Sequence, residues 1–171
     1  MKLVEPCEKY LDSYYQGCVE SWGHVHDGYI LHNPEEYDDW KHHIFQDYEN
    51  QKNGKNLPDG FVPNATYWLV DGDDYLGTVN IRLQLTDKLI EYGGNCGCVL
   101  KVGARGKGLG IKLVELALEK MKELEISPIV LTCEEKNIQS WHIIEHFDYK
   151  KCEKYKTEIN GISTFARRYF L

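Results

Sequence analysis

The fold is decided by one stretch, Leu100-Lys101-Val102-Gly103-Ala104-Arg105-Gly106-Lys107-Gly108-Leu109-Gly110. It follows an extended run at residues 95–102 and leads into an amphipathic run at residues 108–125. The periodicity changes from strand-like to helical across the glycines, so the pattern predicts a strand, a glycine-rich turn and the start of a helix.

The glycines and basic residues of this turn predict a pyrophosphate site. Backbone N–H groups beside the positive end of a helix dipole bind anions well. Gly106, Gly108 and Gly110 have no side chains, so phosphate oxygens can approach the backbone closely. Arg105 and Lys107 add positive charge.

Two familiar phosphate-binding motifs do not match this turn. A P-loop requires Lys and then Ser or Thr after its last glycine, but Leu109 follows Gly108. The dinucleotide fingerprint fails because Ile111 stands where its third glycine belongs. The pattern that remains is Arg-x-x-Gly-x-Gly, at Arg105, Gly108 and Gly110. Taken alone, it also fits a solvated glycine turn.

Composition restricts the class of protein. The chain has 171 residues, 42% of them apolar and 27% charged, which predicts a single globular domain over residues 1–171. The net charge of −7 argues against nucleic acid as the main partner, whereas an amine substrate is compatible with it. No apolar run approaches the ~20 residues of a membrane helix, and the N-terminus lacks a signal-peptide core. We therefore expect a cytoplasmic protein without a membrane partner.

Cysteine and histidine patterns give no metal site. Without a secretory signal, the six cysteines are expected to be reduced and buried. Cys96 and Cys98 should share one face of a strand, and their spacing is not that of a zinc knuckle. The residues His24-x-His26, His42-His43, and His142 with His146 are weak metal candidates, so no metal is predicted.

The periodicity along the chain predicts the order β-α-α-β-β-β-α-β-α-β-β in one α/β domain. Strands are predicted at residues 1–4, 66–70, 75–83, 95–102, 128–133, 149–159 and 162–170. Helices are predicted at residues 8–22, 33–48, 108–125 and 137–146, and residues 85–92 form a short helix or loop. The run at 128–133 is typical of a buried parallel strand, and Asn160-Gly161 predicts a final hairpin.

This order and the Arg-x-x-Gly-x-Gly turn resemble the GNAT acetyltransferase superfamily over nearly the whole chain, and look closest to a poorly characterised branch of it. The segments that carry the resemblance are Val62-Pro63, Thr66-Tyr67-Trp68-Leu69-Val70, Asn80-Ile81-Arg82, Gly93-Gly94, the glycine turn, Leu131-Thr132-Cys133 and Arg167-Arg168-Tyr169. The resemblance implies a mixed, mostly antiparallel sheet with flanking helices, and acetyl-CoA as co-substrate. It assigns cofactor binding to Cys98, Val99, Leu100, Arg105, Gly106, Lys107, Gly108, Leu109, Gly110 and Asn137.

The sequence departs from that branch at several positions. Asn95 replaces a usual His, Val102-Gly103-Ala104 replaces Pro-Ser-Glu, and His146-Phe147-Asp148 replaces Asn-Gly-Gly. Many GNAT enzymes carry a Tyr seven residues after the Asn that opens the fourth helix, often as the acid for the leaving thiolate. Ile144 occupies that position here.

Acetyl transfer to an amine requires a base, a stabilised oxyanion and a leaving thiolate. By resemblance, backbone N–H groups near Val99 and Leu100 are the expected oxyanion donors. The candidate bases are Glu134 and Glu20, and the candidate acids are Tyr149 and Tyr155. Each of these four also fits a purely structural or surface role.

The resemblance implies an N-acetyltransferase that moves the acetyl group of acetyl-CoA to a primary amine by direct attack on the thioester. The departures at Asn95 and Ile144 leave a non-catalytic acyl-CoA-binding or regulatory module as the alternative. The acceptor stays open among small amines, polyamines, amino acids and protein N-termini, and a homodimer is also open. Arg167 or Arg168 could meet a substrate carboxylate, or both could be exposed edge-strand charges.

Overall fold

The computed structural model of the chain describes residues 1–23, 31–159 and 161–171. In this part of the chain, strands form two antiparallel sheets, ordered β1-β2-β3-β4 and β5-β7-β6. The strands are β1 (Lys2–Val4), β2 (Asn64–Asp71), β3 (Asp74–Arg82), β4 (Cys96–Leu100), β5 (Val130–Glu134), β6 (Lys151–Ile159) and β7 (Ile162–Phe170). The α/β class with antiparallel sheets and flanking helices is confirmed.

Helices flank both sheets close to the predicted positions. They are α1 (Leu11–Ser21), α2 (Tyr37–Trp40), α3 (Ile44–Lys52), α4 (Asp87–Glu91), α5 (Leu109–Glu123) and α6 (Ile138–Ile144). Asn33 is the expected N-cap, and its side chain accepts a hydrogen bond from the Glu35 N–H at 3.0 Å. The single helix predicted at 33–48 is wrong, because His43 leaves the helical region with φ −127° and ψ −5° and separates α2 from α3.

Two apolar clusters lie on opposite faces of the sheets. The cluster on the α5 face contains Leu69, Val79 and Leu113, with α5 and α6 packed over it. The cluster on the α1 face contains Tyr14 and Trp68, whose rings stack at 4.4 Å under α1 and α3. These clusters provide the two apolar surfaces on which the candidate site is built.

The β5 strand forms its ladder with β7 and not with β4. Among the described residues β5 pairs antiparallel with β7, so the parallel ladder expected for residues 128–133 is not formed. The hairpin of β6 and β7 is confirmed, although Asn160 in its turn lies outside the described residues. Since β7 is the central strand of its sheet, the alternative that Arg167 and Arg168 are edge-strand charges is wrong.

All six cysteines are free thiols. Cys18 and Cys133 are buried as expected, but Cys7 and Cys152 are exposed. Cys96 and Cys98 share one strand face, with their sulfur atoms 3.9 Å apart. Within the described ranges, no helix is long and apolar enough to cross a bilayer.

Candidate active site

The site begins where β4 and β5 touch. The N–H of Asn95 donates to the Val130 oxygen at 2.7 Å, and the Val130 N–H donates to the Asn95 side-chain oxygen at 2.7 Å. Asn95 is 1% exposed. A Cβ on Gly94, whose φ is +60°, would overlap the Val130 carbonyl oxygen, so only glycine allows this approach. The sequence analysis identified Asn95 only as a difference from the family pattern. The two glycines before it were the feature of the sequence that could have indicated a close strand contact here.

Beyond this contact the facing edge of β4 pairs with no strand among the described residues, although Leu100 O accepts from Arg105 Nε at 3.1 Å. Asn95 O accepts from the Arg82 N–H at 2.7 Å and the Lys101 N–H donates to Leu76 O at 3.0 Å, so the Asn95 carbonyl and the Lys101 N–H face β3. Because backbone groups alternate along an antiparallel strand, those of Cys96, Cys98 and Leu100 point away from β3. They therefore face the gap between β4 and β5.

The facing edge of β5 likewise pairs with no strand in the described chain, although Glu134 O accepts from the Asn137 N–H at 3.0 Å. The Leu171 N–H donates to Ile129 O at 3.0 Å, and the Glu135 N–H donates to Phe165 O at 2.8 Å. The backbone groups of the odd-numbered residues of β5 therefore point toward β7. The backbone groups of Thr132 and Glu134 consequently point into the gap. No ladder joins β4 to β5 in the described chain, so the gap can accept an extended ligand with amides of its own.

The glycine turn lies at the far end of β4. The N–H groups of Gly106, Lys107, Gly108 and Leu109 have no hydrogen-bond partner among the described residues. Gly106 and Gly108 have φ of +72° and +75°, and no atom lies within 4 Å of a Cβ placed on either. Gly108 is the N-cap of α5. These N–H groups form an accessible anion site at a helix N-terminus.

Gly110 is needed for helix packing, whereas Gly106 and Gly108 leave the backbone accessible. A Cβ placed there would lie 2.6 Å from Cδ1 of Ile143 in α6. This glycine therefore allows α5 and α6 to pack closely. The sequence pattern had grouped it with the phosphate-contacting glycines, because spacing along the chain does not show which neighbour each glycine meets.

Positive charge at the turn is not neutralised. Arg105 Nε donates to Leu100 O at 3.1 Å, and Lys107 Nζ donates to Gly103 O at 2.6 Å. Both side chains thus contact carbonyl oxygens, and neither forms an ion pair with a carboxylate in the described ranges. The turn therefore combines free N–H donors with two uncompensated cations, as an anion site requires.

The end of α1 holds the turn in place. The carboxylate of Glu20 accepts a short hydrogen bond from the Gly103 N–H, and the Ser21 hydroxyl accepts from the Val102 N–H at 3.2 Å. A Cβ at Gly103 would lie 2.7 Å from this carboxylate. Glu20, predicted as a candidate base, thus has a positioning contact with the turn.

Glu134 lies at the gap itself. It is the last residue of β5 rather than a residue past that strand. Leu131 and Cys133 belong to the α5-face cluster, so alternation places the Glu134 side chain on the α1 face. Lys136 Nζ lies 2.8 Å from Glu134 Oε2 and forms an ion pair with it. The angle at this contact does not allow a hydrogen bond.

Asn137 caps α6 beside this end of the gap. Its Oδ1 accepts from the Ser140 N–H at 3.1 Å, which leaves the amide nitrogen free to donate. Of the two expected oxyanion donors, Leu100 has its N–H on the gap side and Val99 has its N–H on the β3 side. Val99 instead buries its side chain on the α1 face.

Each of the two tyrosine candidates has a contact outside the gap. Tyr149 is exposed, and its ring meets Tyr169 of the α5-face cluster at 5.2 Å. The Tyr155 hydroxyl donates a short hydrogen bond to the Glu91 carbonyl. Ile144 is buried in the α5-face cluster beside Trp141 and Phe147, which confirms the predicted packing role.

Arg167 and Arg168 are both neutralised within the chain. Arg167 contacts Glu135 and Glu145, and hydrogen bonds from Arg167 and then Lys154 lower the pKa of Glu135 to about 2. Arg168 Nε donates to Glu153 at 2.9 Å. Neither guanidinium is available as a free partner for a substrate carboxylate.

Two of the candidate metal ligands cannot be compared with the structure. His24 and His26 lie outside the described residues. Among the residues that are described, no group of three or more His, Cys, Asp or Glu side chains could hold a metal ion.

Several solved structures have this fold. A RimL ribosomal L7/L12 alpha-N-protein acetyltransferase in complex with coenzyme A aligns with TM-score 0.64 and 15% identity, over 99% of this chain and 92% of that one. The Microcin C7 self immunity acetyltransferase MccE, in complex with acetyl-CoA and AMP, aligns with TM-score 0.64 and 14% identity, over 99% and 90%. A variant of spermidine N-acetyltransferase SpeG from Vibrio cholerae aligns with TM-score 0.60 and 14% identity, over 100% and 94%.

Sequence comparison identifies the family directly. No curated protein matches the chain. The model of the Acetyltransferase (GNAT) family matches residues 7–149, which include α1, the gap and the glycine turn. The chain therefore belongs to the GNAT acetyltransferase family.

Proposed function

We propose that the protein is an acetyl-CoA-dependent N-acetyltransferase that moves the acetyl group to a primary amine by direct attack on the thioester. One observation carries this proposal. The open edges of β4 and β5 lead from the contact at Asn95 to a turn with free N–H groups and two unpaired cations. An extended, amide-containing chain that ends in a pyrophosphate fits both features.

The cofactor would be held mainly by backbone groups. The free N–H groups of Gly106, Lys107, Gly108 and Leu109 would bind the pyrophosphate, aided by Arg105. The gap-facing N–H of Leu100, the one nearest the turn, would pair with an amide of the pantetheine arm. The free amide nitrogen of Asn137 would donate to a carbonyl of that arm.

In the reaction, the amine nitrogen attacks the thioester carbon, the C–N bond forms and the C–S bond breaks. The carbonyl oxygen gains negative charge in this step, and the gap-facing N–H of Cys98, next to Gly97, is its proposed donor. The proton lost by the ammonium group goes to a base. We assign that role to Glu134, since it borders the gap on the α1 face.

The two glutamates should respond differently to substitution. Glu134→Gln should lower kcat by about 10²-fold or more, the usual size of a general-base effect, at unchanged acetyl-CoA affinity. Glu20→Gln should instead weaken acetyl-CoA binding, because it loosens the contact with Gly103. If Glu134→Gln keeps full kcat across the pH range, the base assignment is wrong.

The function is tested by pairing binding with turnover. Acetyl-CoA should raise the melting temperature, because a ligand that binds only the folded state stabilises it, and ATP and NAD should have much smaller effects. Thiol release from acetyl-CoA is then followed over a panel of amines. Binding without turnover on any amine would favour a non-catalytic acyl-CoA-binding module, and stabilisation by ATP alone would remove the cofactor assignment.

A further inference from the structure

A second cavity lies on the α1 face beside the closed end of the gap. It is a cleft of about 580 Å³, within the range of small-molecule sites. Its described walls come from α3, the following loop, β2, β3 and α4. The polar side chains that matter for recognition are His32, Asp47, Lys55, Asn64, Asn80 and Arg82.

Arg82 is a half-buried cation without a counter-charge. Its Nη1 donates to the carbonyl oxygens of Gly93 at 2.9 Å and Gly94 at 3.0 Å. No carboxylate of the described chain pairs with it, whereas Arg167 and Arg168 both meet carboxylates. Its Nε and Nη2 thus keep free donors at the cleft, in the fork geometry that a carboxylate fits.

Asn80 presents an acceptor two residues away on the same strand face. Its Nδ2 donates to the Asn64 side-chain oxygen at 2.5 Å and to the Thr66 hydroxyl at 3.0 Å. The Asn64 amide is oriented in turn by donating to Val62 O at 3.0 Å. With both Nδ2 protons used, the Asn80 Oδ1 is left as an unpartnered acceptor on the cleft wall.

Asn80 also lies next to the gap. It pairs in register with Gly97 of β4, between the two residues Cys96 and Cys98 whose backbone groups face the gap. An amine held by Asn80 therefore lies beside the edge along which we propose that the thioester binds.

The charge of the cleft disfavours a polycation. Asp47 is the one carboxylate among the described lining residues, and it is already paired with His43. Burial lowers the pKa of His32 to about 4, so this imidazole is neutral at pH 7. Lys55 and Arg82 leave the lining with net positive charge. Among the described lining residues, a polyamine would find one carboxylate, that of Asp47, against the two cations Lys55 and Arg82.

We propose that this cleft is the acceptor site and that the acceptor is a small amine with its own carboxylate, of the amino acid class. Arg82 binds the carboxylate and the Asn80 Oδ1 accepts from the amine. Residues i and i+2 on one strand face are separated by roughly 7 Å, a span that suits a small amino acid. The assignment rests on the proposed acetyl transfer and specifies its acceptor.

The test compares matched substrates on the wild-type protein. Glycine, alanine and β-alanine are each paired with their carboxamides, and spermidine is included. Each amino acid should have kcat/KM about tenfold or more above its carboxamide, since a charge-assisted bond is lost. The carboxamide amine is the more easily deprotonated of each pair, so its lower activity would not be due to the ionisation of the amine.

Two variants test whether the preference for the carboxylate depends on Arg82 itself or on any nearby positive charge. Arg82→Gln should abolish the preference for the carboxylate. Lys88→Gln removes a cation from the exposed side of α4, outside the cleft lining, and should keep the preference. If Arg82→Gln does not fold, the wild-type comparison decides alone.

The outcomes separate the acceptor assignment from the proposed function. Acetylation of carboxamides or spermidine at least as fast as of amino acids overturns the acceptor class and leaves the transferase intact. If no amine is acetylated although acetyl-CoA binds, the transferase proposal fails. Saturation-transfer NMR of amino acid against carboxamide then decides the cleft assignment, which is overturned if both bind equally.

Discussion

Replacing Gly94 by alanine should separate β4 from β5. At Gly94 the φ is +60°, and the new Cβ would overlap the Val130 oxygen and lie 3.2 Å from the Leu131 Cα. Both atoms are backbone, so no side-chain rotation can relieve the overlap. The strands would have to move apart, which breaks the two hydrogen bonds between Asn95 and Val130.

The expected loss follows from these contacts. A left-handed conformation costs about 1–2 kcal/mol in a residue with a Cβ. Loss of two hydrogen bonds adds about 0.5–1.5 kcal/mol each, for a total of about 2–5 kcal/mol in the free energy of unfolding. Gly72 is a matched control, because its φ is also +60° and no atom lies within 4 Å of its Cβ position. Gly72→Ala should show the conformational cost alone.

Urea unfolding of both variants measures the difference, which should be about 1–3 kcal/mol. Calorimetric titration with CoA gives a second readout: the affinity should fall for Gly94→Ala and stay at the wild-type value for Gly72→Ala. If the two alanine variants are equally stable and bind CoA equally well, the close approach at Gly94 does not organise the gap.

Three further predictions concern other parts of the molecule. Gly108→Val should weaken CoA binding about tenfold or more by covering the free N–H groups, and unchanged affinity in a titration would reject this turn as the pyrophosphate site. Ile144→Val should cost about 0.5–1.5 kcal/mol in urea unfolding and leave turnover nearly intact, whereas a large fall in kcat would contradict its packing role. Burial holds the pKa of His32 near 4 against 6.5, so the unfolded chain binds a proton between these values that the folded chain does not. The free energy of unfolding should therefore decrease as pH falls from 6.5 to 4, by up to about 3 kcal/mol, and this decrease should be absent in His32→Gln.

Local patterns predicted most elements because they depend on residues near in sequence. The amphipathic spacing after Gly108 identified α5, and the Asn-Gly step identified the final hairpin. The prediction of one helix at 33–48 was wrong because the helical spacing of apolar residues continues across the turn at residues 41–43. The sequence pattern therefore does not show the break between the two helices. The sequence also predicted that the glycine turn precedes a helix, because this depends on adjacent residues. It did not show that Gly110 contacts Ile143, because these two residues are distant in sequence.

The order of elements, the glycine turn and the resemblance to acetyltransferases follow from the sequence, because each of them depends on neighbouring residues. Which cations have a counter-charge depends on the tertiary structure: Arg167 and Arg168 contact carboxylates distant in sequence or on the adjacent strand, whereas Arg82 contacts none in the described part of the chain. The tertiary structure also brings Asn95, just before β4, against Val130 of β5, while no ladder joins β4 to β5 among the described residues. The physical reason is that Coulomb attraction and close packing depend on distances in space, and those distances exist only once the chain has folded.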